Sequence, residues 1–138
     1  MNTSSQPTPP RILGVHHIKF AVSNLDVSLA WYERVIGAKR IPELDHISRF
    51  GTRFAAVCRV EAWSNLFLEL RQSPAQAAKD RGWDPITLSV QGREDLVQWT
   101  EWLDRWQTVR SPLLTGVRGW LLVFEVCQTS SAKVCANV

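Results

Sequence analysis

Twice in this chain a short alternating strand runs straight into an amphipathic helix, and both times further strand-like runs follow. In the first instance His17, Lys19 and Ala21 fall on one strand face and Ile18, Phe20 and Val22 on the other. Asn24 is placed to cap the helix that follows, with Asp26 in its first turn at the positive end of the macrodipole. Leu25, Leu29, Tyr32 and Ile36 recur at helical spacing, and Gly37 suits the C-terminal cap. In the second instance Ile86, Leu88 and Val90 alternate with Thr87 and Ser89, and a helix over Glu94 to Trp106 carries Leu96, Trp99, Leu103 and Trp106 on one stripe. His17 and Pro85 thus begin corresponding strands of an internal repeat. Periodicity alone makes the fold α+β.

Between the two openings the sequence predicts a strand from Arg40 towards Ser48, another over Phe54 to Val60, and a third over Leu66 to Arg71. In the last of these Leu66, Leu68 and Leu70 share one face, and Phe67, Glu69 and Arg71 share the other. Ser73 to Asp84 is a polar, Ala-rich linker with room for a helical turn. Further strands are expected near Ser111 to Val117 and over Trp120 to Phe124.

Length and composition bound the answer. The 138 residues fit one domain with a real core. Met1 to Arg11 is rich in Ser, Thr, Pro and Gln and lacks an apolar segment, so residues 1–11 are expected to be a disordered lead and not a secretory signal. No apolar run approaches the ~20 residues that a membrane helix needs. A cytoplasmic location and no membrane partner follow by default. The net charge of +3 is spread among acids, with no basic stripe for nucleic acid. Cys58, Cys127 and Cys135 lack metal-type spacing and read as free thiols. The seven tryptophans are expected mostly in packing, with one or two lining an aromatic-walled pocket.

The run His17-Ile18-Lys19-Phe20-Ala21-Val22-Ser23-Asn24-Leu25-Asp26, with Trp31-Tyr32 and Gly37, resembles the opening of the glyoxalase / bleomycin-resistance / dioxygenase group, the vicinal oxygen chelate superfamily. The resemblance covers about residues 12 to 125. It implies one glyoxalase-like domain over 12–138, with units of about 12–72 and 84–138 and an atypical tail over 126–138. Each unit would be βαβββ, and the two would form a cupped mixed sheet with helices on its convex face. Metal-binding relatives take one ligand from the first strand and one from the last strand of each unit. The resemblance puts His17 and Glu69 at the two first-unit positions, and their strand parity agrees. An imidazole and a carboxylate are usable ligands for zinc, nickel, manganese or iron.

The second-unit pair is missing. Pro85 stands at the histidine position, no histidine follows residue 46, and no acid follows Glu125. Lys133 falls near where the last carboxylate is expected. Two ligands make an incomplete site, since zinc centres use three or four protein ligands. The competing readings are plain ones. His17 serves a cleft as a hydrogen-bonding residue, Glu69 pairs with Lys19 or Arg71, His16 packs on the apolar side, and His46 faces either side of an irregular strand.

Two functions are therefore weighed. One is a small-molecule binder with no metal cofactor, whose ligand contacts His17, Lys19, Phe67, Arg71 and His46. The alternative is a metal-dependent lyase, isomerase or dioxygenase with His17 and Glu69 as metal ligands, Glu69 also being the catalytic proton carrier. An inactive interaction module is a third class, suggested by the tail alone. No nucleophile elbow, phosphate loop or Cys-His pair is present. A homodimer is expected, because a cup of this size leaves strand edges to cover. The tail, poor in large side chains, is expected to be a weak edge strand or loose, and to contribute little stability; its composition also fits an altered reading frame.

Overall fold

The structure, a computed structural model, describes residues 5–126 and the backbone of 132–137. Its elements follow the expected repeat. The first unit runs β1 (His17–Val22), α1 (Leu25–Trp31), β2 (Lys39–Arg40), β3 (His46–Ile47), β4 (Arg53–Arg59) and β5 (Phe67–Gln72). A short helix, α2 (Pro74–Lys79), bridges to β6 (Ile86–Ser89), α3 (Arg93–Arg105), β7 (Leu114–Gly116), β8 (Gly119–Val126) and β9 (Ala132–Asn137). Strand order is β1-β5-β4-β2 in the first sheet, with β3 also on β4, and β6-β9-β8-β7 in the second. In both units the first strand pairs parallel with the last, and the remaining strands pair antiparallel. The fold is the expected α+β arrangement of two βαβββ units, hydrogen-bonded as two mixed sheets with β1 and β6 each at an edge.

Local chemistry explains the first helix. The Asn24 side chain accepts a hydrogen bond from the Val27 amide at 3.1 Å. The Leu25 amide, another orphan of the first turn, donates to Gln72 Oε1 at the end of β5 at 2.9 Å. After Trp31 the chain widens into a π-helical turn, Tyr32–Ile36, that ends on Gly37 at φ 78. This left-handed conformation favours glycine. The Val35 carbonyl at this helix end is met by the indole N–H of Trp102 on α3, at 3.0 Å. Arg34 also lies over the Trp106 ring, 5.0 Å from its centroid. These contacts seat the second unit's helix against the end of the first unit's helix.

One core serves both units. Phe20, Val22, Leu68 and Leu70 from β1 and β5 join Leu25, Leu29, Tyr32 and Val35 from the first helix. Leu96 and Leu103 from α3 and Leu122 and Phe124 from β8 complete it. Cys58, on the core side of β4, is a free and fully buried thiol. Burial pushes its pKa up to about 11, so it stays protonated. Of the tryptophans, Trp31 is buried in the core and Trp63, Trp99 and Trp102 pack against it, as expected, whereas Trp83, Trp106 and Trp120 are exposed.

Three expectations need correction. The strand expected from Arg40 to Ser48 is broken by a 3-10 turn at Pro42–Leu44, because Pro42 cannot donate to a ladder. The Ser73 to Asp84 stretch does hold the helical turn for which it had room, as a six-residue helix capped by the Ser73 side chain and opened by Pro74. His16 does not pack on the apolar side; β1 starts only at His17, so strand parity does not extend back to it. It is exposed and lies against the His17 and Phe67 rings.

The third correction concerns the tail. Ala132–Asn137 is not an edge strand or a loose end: β9 lies between β6 and β8 and pairs with both. The expectation rested on side-chain area, whereas two backbone ladders hold a strand whatever its side chains. Residues 127–131 and the side chains of Lys133 and Cys135 lie outside the described residues. Truncation after Gln128 is therefore expected to strip the second sheet of its inner strand and abolish cooperative unfolding of that half. Hydrogen exchange on the truncated chain checks this. Protection retained in β6 and β8 would contradict it.

Candidate functional site on the polar face of the first sheet

The register between β1 and β5 assembles the site. His17 lies opposite Phe67, Lys19 opposite Glu69, and Ala21 opposite Arg71. Paired residues share a face, so these six stand on the sheet side away from Phe20, Val22, Leu68 and Leu70. On β4, Val57 lies opposite Glu69 and Arg59 opposite Phe67. His46 enters from β3 opposite Ala55, next to an irregularity in the β3–β4 ladder.

Glu69 is the centre of this face and is only 3% exposed. Lys19 Nζ and Arg71 Nε approach its Oε2 to 3.2 and 3.4 Å, as ion pairs without hydrogen-bond alignment. His46 Nε2 is 3.5 Å from Oε1, and Arg71 Nη2 lies 3.1 Å from His46 Nδ1. Burial by itself would raise the Glu69 pKa. Lys19 and Arg71 outweigh it and hold the carboxyl below its ordinary value. Arg71 also lies 5.3 Å from the centroid of the Phe54 ring, which His46 meets edge-on. Arg59 lies 5.7 Å from the Phe67 centroid.

A second charged group braces the site from behind. The Asp45 carboxylate, just before β3, pairs with Arg40 and lies 3.7 Å from Arg53 Nη1. Arg53 also pairs with Asp26 on α1. Asp45 is held below the ordinary carboxylate range chiefly by its hydrogen bonds to Arg40, against the opposing effect of burial. This network fixes the segment that delivers His46.

The structure thus brings together Lys19, His46, Glu69 and Arg71, with Phe67 alongside. His17 is at the rim: it is exposed, faces Phe67 across the ladder, and its Nδ1 lies 3.0 Å from His16 Nδ1. The register sets Lys19, not His17, opposite Glu69. Sequence reasoning missed Arg59, Phe54 and the Asp45 brace. Alternation along β4 puts Arg59 on the polar face and was a usable signal; the Asp45 contacts depend on the turn at Pro42 and had none.

These residues do not fit a resident divalent cation. The carboxylate that would ligate it already has two cations beside one oxygen, and a third positive charge there is repelled. Among the described residues no three His, Cys, Asp or Glu side chains gather as a donor set. The cationic excess suits an anion instead: Lys19, Arg59 and Arg71 share the face with the single carboxylate of Glu69.

The lowered Glu69 pKa has a defined sign for stability. Its contribution is fully present above the unfolded-state pKa, near 4.5, and is lost as pH falls through the lower folded value. Glu69→Gln should cost about 1 kcal/mol at neutral pH, because the cations that it leaves, Lys19 and Arg71, are more than a third exposed and stay solvated. It should also flatten the acid limb of the stability profile. Denaturant melts between pH 7 and pH 3 measure both, and an unchanged acid limb would contradict the assignment.

With this geometry in view, the relatives can be placed. The chain matches the Glyoxalase/Bleomycin resistance protein/Dioxygenase superfamily over residues 14–117. No curated protein matches it. Among solved structures it is similar to a mutant of FosX, a genomically encoded fosfomycin resistance protein of Listeria monocytogenes, in complex with Mn(II) and 1S,2S-dihydroxypropylphosphonic acid. The TM-score is 0.70 at 15% identity, over 92% of this chain and 93% of that one. A glyoxylase/bleomycin resistance protein/dioxygenase domain from Frankia sp. EAN1pec gives a TM-score of 0.69 at 20% identity, covering 93% and 94% of the two chains. UcmS2 gives 0.71 at 16% identity, covering 92% and 98%. At such identities the likeness is one of fold, and the match over most of the sequence adds the family: the chain belongs to the glyoxalase/bleomycin-resistance/dioxygenase superfamily.

Proposed function

We propose that this protein binds a small anionic molecule on the polar face of the first sheet, without a resident divalent metal. The observation that carries this is the buried Glu69 carboxylate with Lys19 and Arg71 on one oxygen. The pair leaves net positive charge on the face, and Glu69 holds the two cations in place for a ligand. In this reading Lys19, Arg71 and His46 contact the anion, Phe67 supplies an apolar wall, and His17 lies at the entrance. Glu69 is a positioning residue. Two free strand edges, β1 and β6, support a homodimer that covers them. A small-molecule ligand, and not nucleic acid or a membrane, is the partner. No helix among the described residues is long and apolar enough to cross a membrane. The reduced, buried Cys58 is compatible with a cytoplasmic location.

A metal-dependent lyase, isomerase or dioxygenase using His17 and Glu69 is the second reading. The fold it shares with the Mn(II)-bound FosX supports it. Two measurements separate the readings. Protein purified without chelator should carry substoichiometric metal at most. Inorganic phosphate should raise the melting temperature in a saturable way, and Arg71→Ala or Lys19→Ala should weaken that response about tenfold or more, the scale of one charge-assisted contact. Stoichiometric zinc, nickel, manganese or iron that survives dialysis would overturn the metal-free reading.

A further inference from the structure

A second, chemically opposite space lies where the two units meet. It is a cavity of ≈ 510 Å³ with walls from both halves, among them Trp63 and Leu66 from the first and Leu88, Val90, Trp99 and Phe124 from the second. A defect in a close-packed interior is far smaller, and this volume falls within the ~300–1,000 Å³ range of small-molecule sites. None of Lys19, His46, Glu69 and Arg71 borders it, so it is separate from the polar face.

The lining sets the ligand class. Among the described residues no charged residue lines the space, and of its lining residues Thr87, Ser89, Trp63 and Trp99 are the ones with a polar side-chain atom. The lining offers a charged ligand no counter-charge for the water it would give up, so it favours neutral ligands. The aromatic wall is built in advance. Trp99 stacks on Phe124 with centroids 6.3 Å apart and planes 11° from parallel, and Phe124 is itself buried. Trp63, Leu88, Val90 and Trp99 are only half-buried against the core, so their apolar surface remains to be covered.

We propose that this junction is a second binding site, which takes a neutral aromatic molecule of about two or three fused or linked rings, laid against Trp99. The site does not depend on the anion reading of the polar face. The test uses the full chain and the neutral fluorophore N-phenyl-1-naphthylamine. Expected are saturable binding near one molecule per chain and energy transfer from tryptophan to the bound probe. Leu88→Trp fills the cavity and should weaken binding at least tenfold while the far-ultraviolet spectrum stays unchanged. Ala62→Trp, at a second wall position, gives the same readout should the first variant not fold. Non-saturable binding by the wild type, or saturable binding that a folded filling variant leaves intact, would overturn the proposal. Binding that strengthens on dilution to monomers would assign the cavity to a second copy of the chain, and would overturn it too.

Discussion

The register by which β5 lies parallel to β1 is the constraint on which the polar face depends. It sets Lys19 against Glu69 and Ala21 against Arg71 on one side while Phe20, Val22, Leu68 and Leu70 go to the core on the other. A slip of one residue would send Glu69 beneath the helix and the leucines into water. The core therefore enforces the electrostatics. Lys19, Glu69 and Arg71 have little freedom to rearrange, because each has a core residue, Phe20, Leu68 or Leu70, beside it in sequence.

The same register underlies the metal-free reading proposed for this face. A carboxylate flanked by cations is a poorer ligand for a divalent ion, since the added positive charge is repelled. In this chain the positions that share its face are occupied by Lys19 and Arg71, and burial strengthens their hold by removing competing water. In that reading the face is preorganised for an anion. The junction cavity, walled by indoles and aliphatic side chains, is preorganised for the opposite kind of contact. One pair of units thus presents two environments that differ in what they exclude.

How far the sequence told this in advance varied with the kind of force involved. Alternation made the faces of β1 and β5 legible, since Leu68 and Leu70 are apolar and Phe67, Glu69 and Arg71 flank them. Asn24 and Gly37 announced the ends of the first helix through side-chain and backbone chemistry that is local. The resemblance supplied the pairing of units, which no local signal contains. The place of β9 was illegible, because hydrogen-bond ladders depend on what lies on either side and not on the modest residues of Ala132–Asn137. His46 was ambiguous for a related reason: an irregular ladder beside a two-residue strand destroys the parity on which face assignment rests. The choice among partners for Glu69 was open until the register was known.

The inner position of β9 has a consequence for how the protein comes into being. In chain order the first sheet is complete once β5 ends at Gln72. A nascent chain can close that sheet early, as N-terminal units commonly do during synthesis. The second sheet cannot follow the same course, because its inner strand comes after both of the strands it joins. Until Ala132–Asn137 arrives, β6 and β8 present facing rows of unmatched amides and carbonyls, and the junction cavity has only part of its wall supported. During that interval the half-made protein is at its most adhesive, and a chaperone would find its substrate there.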